Sequence, residues 1–104
     1  MRQYSENADG TEVEVPVGDV VEICLDENPT TGFRWNLKSS GEPECTLVKE
    51  YFSHKGTSPG SGGIHHWNFK AVAAGTAMIE LTYARPGQKG PPARTFKLRI
   101  RAGG

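Results

Sequence analysis

The sequence has no charge imbalance, almost no cysteine and no long apolar run. Its 12 lysines and arginines balance 12 aspartates and glutamates, which removes the electrostatic ground for expecting nucleic acid or an anionic membrane as partner. The one basic cluster, Lys89 to Arg101, alternates with apolar residues and reads as a solvated strand face. No segment approaches the ~20 consecutive apolar residues that cross a bilayer. The opening MRQYSENADG is polar, without the hydrophobic segment of a signal peptide. Location stays open: cytoplasmic, or periplasmic or secreted if a leader has been removed.

Cys24 and Cys45 are too few for a disulfide scaffold, and their spacing matches no zinc motif. They either pair in an oxidising compartment or stand as two free thiols. His54, His65 and His66 make no metal site with one another unless the fold converges them, and the neighbours His65 and His66 project to opposite faces of a strand. There is no G-x-S-x-G and no Cys–His constellation with supporting context. Glu42 and Glu44 read as surface charges near a turn. Nothing in this inventory argues for an enzyme, and neither a metal nor a cofactor is expected.

Helical periodicity is also hard to find. Alternation with period two recurs instead: Val13, Val15, Val17; Val21, Ile23, Leu25; Phe33, Trp35, Leu37; Cys45, Leu47, with Lys49 leading to Tyr51–Phe52; His65, Trp67, Phe69, Ala71; Ala77, Ile79, Leu81, Tyr83; and Phe96, Leu98, Ile100. Thirteen glycines and seven prolines punctuate these runs. At 104 residues the chain is one domain with one modest core. The expectation is all-β: an immunoglobulin-like β-sandwich of about seven to eight antiparallel strands spanning 1–104, with residues 1–10 a loose N-terminal tail. Lys97 and Arg99 would guard the last strand if it lies at an edge.

Three loops exceed what a strand connection needs. The first is Asn28-Pro29-Thr30-Thr31-Gly32. Pro29 fixes its own φ and biases Asn28 to an extended conformation. Asn28 is suited to an Asx turn, and Gly32 to positive φ. Thr30 and Thr31 are then held with little freedom, as in a rigid recognition loop, although an ordinary turn would use the same composition. The second, Lys55 to Gly63, is glycine-rich without the GK[ST] or helix of a phosphate cradle. It is either a floppy connection or a backbone that must lie close to another surface. The third, ARPGQKGPPAR after Tyr83, presents Arg85 beside Pro86; a solvated arginine at a strand end is the plain alternative.

Taken in order, NPTTG-x-x-W (Asn28 to Trp35), Gly60-Ser61-Gly62-Gly63, and Arg85-Pro86 followed by Gly87 resemble the chagasin-like family of cysteine peptidase inhibitors. The resemblance covers about Val13 to Ile100. It implies an immunoglobulin-like sandwich whose three loops wedge into the active-site cleft of papain-like cysteine peptidases, with no cofactor and with the monomer as default. By that resemblance the first loop blocks the catalytic centre, with Thr31 near the catalytic cysteine and histidine and the hydroxyls facing the enzyme's catalytic groups. The Gly60–Gly63 loop pairs backbone to backbone along the non-primed side, and Arg85–Pro86 braces the primed side. A contact of about 800 Å² per partner would be of standard size.

The family's third motif continues R-P-aromatic, whereas here Gly87 holds that position. An interface aromatic can be worth ~2 kcal/mol or more, so Gly87→Trp is expected to tighten inhibition. The alternatives are a non-inhibitory immunoglobulin-like interaction module, which would not need Thr30 and Thr31, and a small metal- or ligand-binding β-protein using His65 and Tyr83.

Overall fold

The alternating runs become strands wherever their branched and aromatic residues can share one buried face. A computed structural model describes residues 2–56 and 60–103. Its strands are β1 (Arg2–Tyr4), β2 (Thr11–Pro16), β3 (Val20–Glu27), β4 (Arg34–Ser40), β5 (Cys45–His54), β6 (Gly63–Ala71), β7 (Gly75–Ala84) and β8 (Arg94–Gly103). They form two four-stranded sheets, ordered β1-β3-β6-β5 (sheet A) and β2-β8-β7-β4 (sheet B).

The core lies between the sheets. Val21, Ile23 and Leu25 of β3, Trp67 and Phe69 of β6, Ile79 and Leu81 of β7, and Phe96, Leu98 and Ile100 of β8 are all at most 1% exposed. Each such side chain contributes about 1.5–3 kcal/mol when removed from water, so the two facing rows decide the register of every central strand.

All seven alternating runs are strands, and β1 is an eighth. The expected loose tail over residues 1–10 is instead tied down. Arg2–Tyr4 pairs in parallel with Val21–Ile23, and Ala8 joins the core. Three residues are too short for alternation to register, and the ladder is supplied by the β3 edge. β2 also pairs in parallel, with β8; the other pairings are antiparallel. β8 is therefore internal, and its outward arginines serve another purpose: Arg101 lies 3.3 Å from Glu12 and 3.8 Å from Glu14 on β2.

Two further details depart from simple alternation. A bulge between Leu47 and Lys49 breaks the register of β5 against β6. It leaves Leu47 opposite core-facing Phe69, but turns Lys49 and Tyr51 to the outer face, opposite Asn68 and His66. Cys24 and Cys45 are free thiols. Cys45 is buried in the core while Cys24 stands on the outer face of β3. Burial, then the Glu22 carboxylate, pushes the Cys24 thiol up to about 12, and burial raises Cys45 too.

Gly63 at the start of β6 is fixed by the fold itself. A Cβ there would sit 2.2 Å from the Ser53 carbonyl oxygen and 2.5 Å from Phe52 Cζ. The carbonyl belongs to the paired strand and cannot rotate away. Gly63→Ala is expected to cost about 3 kcal/mol, the upper end for overpacking, read as a lower urea midpoint at unchanged slope.

Candidate functional site

The β3–β4, β5–β6 and β7–β8 connections carry the three unusual loops, and side-chain contacts join them at one end of the sandwich. The β3–β4 connection crosses from sheet A to sheet B. Its centre is a single 3-10 turn, Pro29–Thr31, capped by Asn28 and ended by Gly32 at φ 84°.

Asn28 organises the turn. Its Oδ1 accepts from the Thr30 amide at 3.2 Å and the Thr30 hydroxyl at 2.6 Å. Its Nδ2 donates 3.0 Å to the Gly60 carbonyl of the β5–β6 loop. The Thr31 hydroxyl donates 2.8 Å to the Asn28 carbonyl and accepts from the Phe33 amide at 3.3 Å. Both hydroxyl protons are thus committed within the loop. The threonine hydroxyls therefore brace the loop, while both residues stay exposed.

The ends of the crossing are clamped by Glu27. This carboxylate is 4% exposed, lies on the core-facing side of β3, and accepts the Trp35 amide at 2.6 Å. His65 Nδ1 lies 3.1 Å from its other oxygen, and His65 Nε2 lies 2.6 Å from Glu50. The Trp35 indole donates 2.9 Å to the Asp26 carbonyl, and Lys55 pairs with the Asp26 carboxylate at 2.6 Å. His65 therefore serves the base of the loop, stacked 3.9 Å from Trp67.

A ladder of rings and guanidinium groups links this loop to the third. Trp35 and Tyr83 are register partners with centroids 4.8 Å apart, and Phe33 stacks on Tyr83 at 5.4 Å. Arg85 lies over Phe33 at 4.7 Å and Arg94 over Trp35 at 5.4 Å. Such contacts are worth roughly 0.5–1 kcal/mol each at exposed sites; their main effect is to hold Arg85 beside the first loop.

Asn28 to Gly32, Gly60 to Gly63 and Arg85 are accordingly brought together. Ser61 and Gly62 line a small cleft with Glu27, Asn28, Tyr83 and Arg94. Thr57 to Pro59, part of the glycine-rich segment, lie outside the described residues. The glycines answer to different demands. Gly60 and Gly62 have φ of 80° and 75°, and Gly63 is required by its own sheet. Pro86 and Gly87 form the corner of a turn closed by the Gln88 amide on the Arg85 carbonyl at 3.0 Å. Gly87 sits there at φ 75° with open space where a Cβ would go.

Glu27 and Arg94 were not legible as site residues in the sequence. The available signal for Glu27 was its parity, since it continues the core-facing row Val21, Ile23, Leu25. Removing this carboxylate in Glu27→Ala leaves the Trp35 amide without its acceptor and His65 Nδ1 without its carboxylate partner. A loss of about 3 kcal/mol is expected, with faster hydrogen exchange at Trp35 and Thr31 in NMR; unchanged exchange at both would count against the clamp.

Residues 14–100 match the family model for the chagasin family peptidase inhibitor I42. Chagasin of Trypanosoma cruzi is 40% identical over 82 residues, 74% of each chain. Among solved structures, that of the cysteine protease inhibitor EhICP2 from Entamoeba histolytica superposes with a TM-score of 0.84 at 24% identity, covering 97% of this chain and 93% of that one. PbICP-C, solved in complex with falcipain-2, shares the fold at TM-score 0.69 and 17% identity, over 97% and 89% of the two chains.

Proposed function

The chain belongs to the chagasin family of peptidase inhibitors, and from that premise we propose that it is a reversible, tight-binding inhibitor of papain-like cysteine peptidases. It acts as an inhibitor and not as an enzyme. The residues that carry the binding are Asn28 to Gly32 at the centre, Gly60 to Gly63 on one flank and Arg85 to Gly87 on the other, within a single domain spanning 1–104.

The observation that carries this reading is the joining of the three loops before any partner is met. Asn28 bonds across to Gly60, and Arg85 lies over Phe33. A loop whose polar groups already satisfy one another loses little entropy on docking, so more of the contact energy appears as affinity. The central turn is compact and not an extended strand. Entering a peptidase cleft, it would present no peptide carbonyl in attack geometry to the nucleophile, and so would block without being cleaved. The exposed Thr30, Thr31 and Gly32 form the tip of the wedge.

Because the Thr31 hydroxyl makes two internal bonds, its contribution is preorganisation. Titrating papain with the protein while following hydrolysis of a fluorogenic peptide should show stoichiometric, reversible inhibition. Thr31→Ser, which keeps the hydroxyl, should stay near wild type. Thr31→Ala should raise the inhibition constant by about tenfold, matching one to two hydrogen bonds of about 0.5–1.5 kcal/mol. Absence of inhibition at micromolar protein, against papain and a cathepsin L-like enzyme alike, would overturn the proposal.

The geometry of Gly87 revises the expected effect of an aromatic there. A non-glycine residue in the left-handed region costs about 1–2 kcal/mol, against ~2 kcal/mol for an interface anchor. The gain and the strain nearly cancel. Gly87→Trp should therefore change the inhibition constant by less than about tenfold, in the same titration.

A further inference from the structure

A second cluster of chemically capable side chains lies on the outer face of sheet A, away from the loops. Glu22 and Cys24 alternate outward along β3, and His66 is the register partner of Cys24 on β6. Their ligand atoms converge. Cys24 Sγ lies 3.3 Å from Glu22 Oε1 and 3.5 Å from His66 Nδ1, and Glu22 Oε1 is 3.4 Å from His66 Nδ1.

We propose that Glu22 Oε1, Cys24 Sγ and His66 Nδ1 form a binding site for one Zn²⁺ ion. Zinc bonds of about 2.3 Å to sulfur and about 2.0–2.2 Å to nitrogen or oxygen, at tetrahedral angles, place ligand atoms about 3.4–3.6 Å apart. The three observed edges fall at that spacing, so little rearrangement separates the hydrogen-bonded triangle from a coordinated one. On binding, the Cys24 thiol gives its proton to solvent and sulfur takes the metal in its place. The neutral imidazole and the carboxylate need lose no further proton when the His66 proton is on Nε2.

The surroundings hold two of the three ligands, His66 and Glu22, in place. Ser53 Oγ lies 2.8 Å from His66 Nε2, which fixes the ring and leaves Nδ1 as the lone-pair atom when the Nε2 proton is donated outward. Glu22 is held by Gln3 at 2.9 Å and by the Tyr51 hydroxyl at 3.0 Å. The Tyr51 ring stacks flat on His66, with centroids 4.2 Å apart.

A separate observation points the same way. Asn68 is 6% exposed and stands directly across from Glu22 in register. Its Oδ1 is buried with no hydrogen-bond partner among the described residues. An oxygen acceptor left unmatched beside a carboxylate is a poor neighbour for an anion and a good one for a cation. The thiolate and imidazole donors favour a borderline-soft metal over Mg²⁺ or Ca²⁺.

The test is a titration of the reduced full chain with Co²⁺ as a spectroscopic substitute, followed by displacement with Zn²⁺. One equivalent should produce a thiolate-to-cobalt charge-transfer band and the strong visible bands of a tetrahedral site. The signal should vanish in Cys24→Ser and persist in Cys45→Ser. Ser53→Ala, which removes the partner of His66 Nε2 but none of the three ligands, should weaken Zn²⁺ binding by about tenfold or more. If the Cys24→Ser variant fails to fold, zinc-edge X-ray absorption of the wild-type protein decides the matter. One sulfur with lighter ligands supports the site; a sulfur-free shell, or no charge-transfer band at equivalence, overturns it.

Discussion

The carboxylate of Glu27 accepting the backbone amide of Trp35 is the bond on which the loop end of this molecule depends. Glu27 is the last residue of β3 in sheet A, and Trp35 is the second residue of β4 in sheet B. The chain between them is the crossing from one layer to the other. A crossing of that length, left to itself, would be a hinge with its two ends on different sheets. A charged acceptor on a main-chain donor is worth about 1.5–3 kcal/mol, and here it is sealed between the layers. Everything distal to it is then built on a fixed base.

That base explains how three loops from two sheets can act as one surface. The central loop belongs to both sheets because it joins them. The β5–β6 loop rises from sheet A on one side, and the β7–β8 loop from sheet B on the other. Asn28 reaches the first through Gly60, and Phe33 reaches the second through Arg85. The arrangement thus follows from topology: a crossing loop flanked by one hairpin loop from each layer. Rigidity follows from the internal use of the threonine hydroxyls. A surface whose hydrogen bonds are already satisfied among themselves has to gain affinity by shape and by main-chain contact, and so suits a cleft better than a flat partner.

Much of the fold was legible because seven strands obey period-two alternation with large apolar residues on one side. β1 escaped because three residues of mixed polarity carry no period; its placement comes from the unpaired edge of β3. The bulge at Val48 escaped because one added residue leaves the composition unchanged while reversing the faces of Lys49 and Tyr51. The central loop was legible in outline, since Pro29 and Gly32 have conformational demands that hold in any context. Its clamp was not: the partners of Glu27 are 8 and 38 residues distant, and only its place on an apolar row marked it. For Cys24 the sequence posed the wrong question, namely whether it pairs with Cys45. Its neighbours turned out to be a glutamate two residues away and a histidine on the adjacent strand.

Strand β3 shows why polarity alone does not separate structural from functional positions. Its inward row ends in a carboxylate that is buried because it closes a loop. Its outward row carries another, Glu22, that is just as buried and accepts from Gln3 of β1 and Tyr51 of β5. The glycine-rich loop makes the same point in reverse. A run of glycines invites the reading that a partner's backbone must come close, yet Gly63 is demanded by Ser53 and Phe52 of its own hairpin. Gly60 and Gly62 are demanded by their own positive φ. Composition records that some backbone lies close or strained, and is silent on whether self or partner requires it. What distinguishes a prepared surface is the bonding between loops that the fold alone would not need, and here that bonding runs from Asn28 to Gly60 and from Phe33 to Arg85.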